Sequence, residues 1–92
     1  MLNENIRKLR LARGVSQVEL ASALGVTKQS VSNWENDNIL PSIEMLVCLS
    51  KTFGVSTDYL LGLEDIPRLD IEGLPPNVVA HLSLLIEDYR AQ

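Results

Sequence analysis

The chain has 92 residues, of which 46% are hydrophobic and 22% charged, and its net charge is −4. This composition predicts one compact domain with a short appendage, in which helix-dense packing or oligomerisation compensates for a small core. With a single cysteine, Cys48, the chain can form neither an intramolecular disulfide nor a thiolate zinc cluster. The sequence has no signal pattern and no apolar run of membrane length, so we expect a soluble cytoplasmic protein.

Three helices are predicted in the first 36 residues. The first carries apolar residues at helical spacing and stops at Gly14. Ser16 and Glu19 form a capping-box pattern that opens the second helix, which closes at Gly25. Thr27 caps the third helix, which runs to about residue 36.

Two more helices follow a loop over residues 37–41. Ser42 caps the fourth helix, which ends at Gly54, and Ser56 caps a short fifth helix, which ends at Gly62. No apolar alternation of period two suggests a strand, so the predicted fold is all-α, with five helices in residues 1–62.

The C-terminal third is predicted to be a linker and one amphipathic helix. Residues 63–74 are acidic and contain Pro67 and Gly73, which favour a linker, and the Pro75-Pro76 pair suits the start of a helix over 75–92. The apolar stripe of this helix consists of Val78, Val79, Leu82, Leu85, Ile86 and Tyr89. Such a stripe does not face water alone, so it either folds back on the same chain or packs against a second copy or another protein. We favour a homodimerisation element.

The third helix carries an unusual polar face. The turn Leu24-Gly25-Val26 joins two short helices and predicts a helix-turn-helix. Val31 and Trp34 are predicted to face the body of the domain. The polar side chains that share the opposite arc, about 140° wide on a helical wheel, are Lys28, Gln29, Ser32, Asn33 and Asn36.

This polar arc matches the chemistry of DNA base edges. Amides donate and accept at once, as the major-groove edge of adenine requires, and lysine donates to the acceptors of guanine. No glutamate lies within the arc to repel phosphate. Residues 1–40 carry five basic and four acidic groups, and residues 41–92 carry three basic and eight acidic groups. The charge therefore places a polyanion contact in the first half of the chain.

Residues 3–62 resemble the phage-repressor/Cro-type helix-turn-helix family, also called the xenobiotic response element family. The resemblance rests on "SQVELASALGV", "SVSNWEN", the "PS" before the fourth helix and "FGVSTDYLLG", in that order and at family spacing. It implies a five-helix repressor-like DNA-binding domain and a sequence-specific transcriptional regulator. We expect a repressor that binds a palindromic operator in double-stranded DNA as a dimer.

The same resemblance implies roles for individual residues. The base-reading positions are Lys28, Gln29, Ser32 and Asn33. The positions that contact the DNA backbone are Gln17, Thr27, Ser30, Asn36 and Asn38. The resemblance also implies that Gln17 braces the base-reading helix. Arg10 and Glu35 match a pair that ties the first helix to the third in many members. The chain departs from the family in its modest local positive charge, which argues against tight nonspecific binding.

Other classes of function have little support in the sequence. The single histidine, His81, has no neighbouring acid and nucleophile, and no paired carboxylates, phosphate-binding glycine loop or metal-spaced ligands occur. We therefore expect no catalytic residues, cofactor or metal. The alternative to a DNA-binding regulator is an antitoxin or regulatory partner protein that uses its C-terminal helix to bind another protein.

Overall fold

The computed structural model describes all 92 residues and is entirely helical, as the sequence predicts. Its six helices are α1 (Leu2–Ala12), α2 (Gln17–Leu24), α3 (Lys28–Glu35), α4 (Ile43–Phe53), α5 (Thr57–Leu60) and α6 (Pro76–Arg90). No helix or strand forms between α5 and α6. No helix is both long enough and apolar enough to cross a membrane.

Four helices begin at the hydroxyl residues that the sequence predicts as caps. In each, the hydroxyl accepts a hydrogen bond from the backbone N–H three residues later, which satisfies a donor that has no partner within the helix. The pairs are Ser16 with Glu19, Thr27 with Ser30, Ser42 with Met45 and Ser56 with Tyr59, at 3.0 or 3.1 Å. At α2 the Glu19 carboxylate also accepts from the Ser16 N–H at 3.0 Å, which completes the predicted capping box and lowers the pKa of Glu19.

A residue in the left-handed conformation follows each of the helices α1 to α5, one or two positions after its last residue. Four of these residues are Gly14, Gly25, Gly54 and Gly62. In α3 the residue is Asp37, with φ of +58°. Its N–H donates to the carbonyl of Trp34 at 3.3 Å, and the N–H of Asn38 donates to the carbonyl of Asn33 at 2.9 Å. This hydrogen-bond pattern ends the helix without a glycine, because aspartate tolerates the left-handed region better than most residues do.

The core lies among α1 to α5. Ile6, Val31, Leu49 and Leu60 have no exposed surface, and each comes from a different helix. The other buried apolar residues are Leu20, Ala21, Trp34, Phe53 and Val55. Because α3 contributes both Val31 and Trp34, its inner face is fixed against the rest of the domain, and its opposite face is directed outward.

Helix α6 lies apart from this core. None of its side chains is buried, and none packs against the core. The radius of gyration is 14.8 Å, whereas a compact chain of this length would have about 12 Å. Within the stripe, Leu85, Ile86 and Tyr89 are exposed and Val78, Val79 and Leu82 are half-buried. The stripe does not pack against the five-helix core, so the fold-back arrangement considered from the sequence is not the one observed.

Replacing Gly25 by alanine should destabilise the domain. Gly25 has φ of +70° in the turn between α2 and α3, and a Cβ atom there would meet nothing within 4 Å. The cost is thus conformational, about 1–2 kcal/mol in the free energy of unfolding. Urea unfolding of Gly25→Ala measures it, with Ser22→Ala on the exposed side of α2 as the control. A Gly25→Ala variant as stable as the Ser22→Ala control would show that the turn does not require a left-handed residue.

Candidate DNA-reading surface

The turn between α2 and α3 brings the two helices together at an angle that exposes the outer face of α3. Val31 and Trp34 point inward, and the indole of Trp34 is only 6% exposed, so this tryptophan is a core residue as predicted. Lys28, Gln29 and Asn36 are exposed, and Ser32 and Asn33 are half-buried. The structure thus places all five side chains of the predicted arc at the surface of one helix, where none is enclosed by the core.

Two hydrogen bonds order the amides on this face. The Gln29 amide nitrogen (Nε2) donates to the Asn33 carbonyl oxygen (Oδ1) at 3.0 Å, and the Asn36 Nδ2 donates to the Ser32 Oγ at 3.3 Å. Each amide nitrogen carries two N–H groups, so Gln29 keeps its carbonyl oxygen and one donor free, and Asn33 keeps both of its donors free. The face therefore presents a fixed pattern of donors and acceptors to whatever approaches it.

The predicted backbone-contacting residues border this face. Thr27 and Ser30 share a hydrogen bond of 3.0 Å between their hydroxyls at the start of α3. Gln17 begins α2, where the free backbone N–H groups and the helix dipole favour an anion. Asn38 is exposed directly after α3. These side chains lie at or near helix termini around the outer face of α3.

A buried ion pair connects α1 to α3. The Arg10 Nε donates to the Glu35 Oε2 at 2.7 Å, and a second guanidinium nitrogen donates to the Glu35 Oε1 at 3.0 Å. The remaining terminal nitrogen of Arg10 donates to the carbonyl of Val15 in the turn before α2, at 2.9 Å. The guanidinium thus holds three segments of the domain together, and the predicted pairing of Arg10 with Glu35 is present with bidentate geometry.

Both members of this pair are charged at neutral pH. Burial alone would raise the pKa of Glu35, but hydrogen bonds from Arg10 and Gln17 and the positive charges of Arg10 and Arg7 together lower it below its ordinary value. The hydrogen bond to Glu35 raises the pKa of Arg10. An acidic residue close to the outer face of α3 is therefore neutralised within the domain.

Gln17 contacts the third helix, as the family resemblance implies, through a partner residue that the sequence did not identify. Its Nε2 donates to the Glu35 Oε1 at 3.2 Å, so the residue at the start of α2 is oriented by the last residue of α3. The two residues are 18 positions apart, and no local pattern indicates their contact. A second missed contact is that of Asn5, whose amide donates to the carbonyls of Tyr59 and Leu60 at 3.0 and 3.1 Å and joins α1 to the end of α5.

No cluster of metal-binding side chains accompanies this surface. The structure has no group of three or more His, Cys, Asp or Glu residues that could hold a metal ion. Cys48 is half-buried on α4, and His81 is exposed on α6. The polar atoms of the outer face are amides, hydroxyls and one ammonium group, which suit hydrogen bonding to an extended polar ligand.

A helix-turn-helix family model matches residues 6–60, more than half of the chain. The chain belongs to the Cro/C1-type helix-turn-helix family. Among its relatives, the HTH-type transcriptional activator BcrR of Enterococcus faecalis is 38% identical over 67 residues, which cover 73% of this chain and 33% of that protein. The repressor protein CI of Enterobacteria phage phi80 is 38% identical over 76 residues, which cover 82% of this chain and 32% of that protein. The chain thus spans about a third of the length of these two relatives.

Solved structures of the family have the same fold. The P22 c2 repressor in complex with a synthetic operator superimposes with a TM-score of 0.63 at 35% identity, covering 65% of this chain and 91% of that one. A chain of the SinR protein/SinI protein complex gives a TM-score of 0.64 at 26% identity over the whole of both chains. The first of these similarities covers about two-thirds of this chain, and the second covers all of it, α6 included.

The ion pair of Glu35 should make stability depend on acidic pH. Since folding lowers the pKa of Glu35, its contribution is present above the unfolded value of 4.5 and is lost as pH falls further. The Glu35→Gln variant should be less stable than the parent at pH 7, by about 2 kcal/mol, and the difference should shrink towards pH 3. Thermal unfolding across this range measures it, with Glu44→Gln, which removes a carboxylate that forms no ion pair, as the control. A difference that stayed constant down to pH 3 would contradict the assigned role of the carboxylate.

Proposed function

We propose that this protein is a cytoplasmic transcriptional regulator that binds double-stranded DNA by sequence and acts as a repressor. In this proposal α3 lies in the major groove, and a homodimer binds the two halves of a palindromic operator. The observation that carries it is the outward amide face of α3, whose opposite side is fixed by Val31 and Trp34. The fold of the P22 c2 repressor, solved in complex with a synthetic operator, supports the same placement.

The base contacts follow from the donors and acceptors left free on α3. Gln29 keeps one N–H and its carbonyl oxygen, which is the pair that adenine N7 and N6 require. Asn33 keeps two N–H donors, which suit the acceptors N7 and O6 of guanine or O4 of thymine on a neighbouring pair. Lys28 donates to guanine acceptors or to phosphate at the start of the helix. Ser32 is small enough to allow the helix close to the base edges.

The backbone contacts hold α3 in register. Gln17 donates one N–H to Glu35 and keeps a second N–H for a phosphate oxygen. Thr27, Ser30, Asn36 and Asn38 supply further polar groups beside the groove. Because Glu35 orients Gln17, the ion pair with Arg10 positions a phosphate contact as well as the helix. Because the first 40 residues have a low net positive charge, specific contacts contribute more to DNA affinity than general electrostatic attraction to the phosphates does.

Alanine at the base-reading positions should relax sequence preference. Each of Lys28→Ala, Gln29→Ala and Asn33→Ala should lose about 1–3 kcal/mol of discrimination between the operator and single-base variants where a bidentate contact is removed. The losses at Gln29 and Asn33 should not add, because the two amides are hydrogen-bonded to each other. By contrast, Gln17→Ala should weaken binding to all sequences alike.

Fluorescence anisotropy with operator and mismatched duplexes at fixed salt measures these effects. Asn77→Ala, at the exposed start of α6, is the matched amide control and should change neither affinity nor preference. If the triple alanine variant kept the full selectivity of the parent, the assignment of α3 as the reading helix would be wrong.

Helix α6 is the proposed dimerisation element. Val78, Leu82, Leu85 and Tyr89 follow one another at spacings of four, three and four, which is the seam of a coiled coil, and Val79 and Ile86 flank it. Leu85, Ile86 and Tyr89 are exposed in the single chain. Pairing with a second copy covers this surface, and joining two reading helices raises operator affinity through effective concentration.

A charge in the seam of α6 should separate the two copies. Leu82→Lys is expected to convert a dimer to a monomer in light scattering and to lower operator affinity by at least about tenfold, because the half-sites then bind independently. Leu84→Lys is the control for the same substitution on the same helix, since Leu84 is exposed and lies off the seam, whereas Leu82 is half-buried. A Leu82→Lys protein that remains dimeric would show that α6 is not the interface.

A second candidate is a regulator whose α6 binds a different protein. The observation that favours it is the whole-chain similarity to a structure of the SinR protein/SinI protein complex, together with the exposed part of the stripe, Leu85, Ile86 and Tyr89. Size-exclusion chromatography of the pure protein separates the two. A defined dimer supports the homodimer, and an aggregating monomer that a partner solubilises supports the alternative.

A further inference from the structure

We propose that α6 pairs with α6 of a second copy in the antiparallel direction, which sets how the two DNA-binding domains are separated. This inference rests on the proposed homodimer and adds the direction and register of its interface. The partner surface is a second copy because the seam, the flanking residues and the charges of α6 complement one another only when one helix is reversed.

The sizes of the seam residues match in the reversed pairing. In an antiparallel pair, a-type positions of one helix face d-type positions of the other, so Val78 lies opposite Tyr89 and Leu82 opposite Leu85. Each layer then contains a small and a large residue, or two leucines. In a parallel pair, each residue faces its own copy, which places two tyrosines against each other in one layer and two valines in another. The reversed pairing therefore fills the seam evenly.

The residues beside the seam also match only in this direction. On one side, Val79 of one copy, which is half-buried in the single chain, lies next to the exposed Ile86 of the other, so the two apolar residues that flank the seam cover each other. On the other side, His81 faces Asp88 of the second copy, and an imidazole N–H can donate to the carboxylate. A parallel pair would instead place His81 of one copy against Ile86 of the other. The imidazole would then have no hydrogen-bond acceptor there, and Ile86 would have no apolar neighbour.

The charge at the two ends of α6 favours the same direction. The N-terminus of α6 is capped by Pro75 without a side-chain hydrogen bond, and its first turn contains no acidic residue. Its free N–H groups therefore carry an uncompensated positive dipole end. In the antiparallel pair, Asp88 of the second copy lies level with the first turn of α6, whereas Glu87 and Arg90 face away from the seam. A parallel pair would instead place the two Asp88 carboxylates at the same end.

The reversed direction also suits the spacing of an operator. With 15 residues, α6 is about 22 Å long, so the antiparallel pair separates the two starting points of α6 by roughly that distance. A parallel pair would bring them within about 10 Å of each other. Two half-sites on one face of DNA are about 34 Å apart, and the linkers before α6 bridge the smaller difference in the antiparallel case.

Site-directed disulfides test the direction. In a Cys48→Ser background, one protein carries Val78→Cys and another carries Tyr89→Cys. The two are mixed under reducing conditions to exchange subunits and are then oxidised. The antiparallel pair predicts a mixed disulfide between positions 78 and 89, identified by mass spectrometry of the linked peptides, and little disulfide in either protein alone. Disulfides that join 78 to 78 and 89 to 89 would overturn the proposed direction while leaving the dimer and its operator binding in place.

Because cysteine substitutions in the seam can themselves weaken pairing, a variant that removes a charge outside the seam provides an independent test of the direction of pairing. Asp88→Asn should raise the dimer dissociation constant by about 3- to 30-fold in the antiparallel pair, since each dimer loses two carboxylates beside helix N-termini. In a parallel pair the same change relieves repulsion and tightens the dimer. Asp65→Asn, in the linker, is the control and should leave the constant unchanged. A tighter Asp88→Asn dimer, or a parent protein that is monomeric in sedimentation, would overturn the inference.

Failure of this inference is distinguishable from failure of the proposed function. The same variants can be assayed for preference between operator and mismatched duplexes, which depends on α3 and not on the direction of α6. Loss of sequence preference in the parent protein would contradict the DNA-binding proposal. A parallel disulfide pattern with preserved preference would contradict the direction of α6 alone.

Discussion

The bidentate contact between Arg10 and Glu35 is the interaction on which the presentation of α3 depends. It joins the first helix to the last residue of α3, and the same guanidinium holds the turn that leads into α2. With Val31 and Trp34 in the core, it fixes the rotation of α3 about its axis. A rotation of about 100° would bring Val31 and Glu35 to the outer face in one sense and Trp34 in the other, and would turn part of the amide face inward. The exposed pattern of donors and acceptors is therefore a consequence of what the opposite side of the helix contacts.

The ion pair also explains how an acidic residue is accommodated next to a surface proposed to meet phosphates. Glu35 is satisfied by Arg10 and Gln17, and its lowered pKa keeps it charged and paired within the domain. In turn, its carboxylate orients Gln17 at the start of α2. A single buried group thereby links the packing of the domain with the arrangement of its proposed phosphate contacts. The remaining excess of negative charge lies in the second half of the chain, away from this surface.

Local features of the fold could be predicted from the sequence because they depend on neighbouring residues. Ser16, Thr27, Ser42 and Ser56 each cap the helix expected of them, since a cap needs only the three residues that follow it. The inward position of Trp34 follows from helical period alone. Contacts between distant segments were predictable only where a family resemblance supplied them, as for Arg10 with Glu35.

Other contacts carried no signal in the sequence. The bonds from Asn5 to the end of α5 join residues far apart in the chain, and asparagine specifies no such partner. For Gln17 the family resemblance implied a contact with the third helix, but nothing in the sequence identified Glu35 as the partner. The stripe of α6 indicated that the helix needs a partner, but an apolar stripe does not specify which surface covers it. The structure excludes the core of the same chain, and the order of charges along α6 supplies the direction that apolar spacing alone leaves open.

Selection of bound sequences from a random pool of double-stranded DNA tests the central claim most directly, when the parent and the Asn33→Ala variant are selected in parallel. The account predicts that the parent enriches two inverted half-sites about one helical turn apart. The variant should lose the preference at one position of each half-site and keep the spacing. Recovery of the same motif by both proteins, or of no motif by the parent, would contradict the placement of the amide face of α3 against the bases.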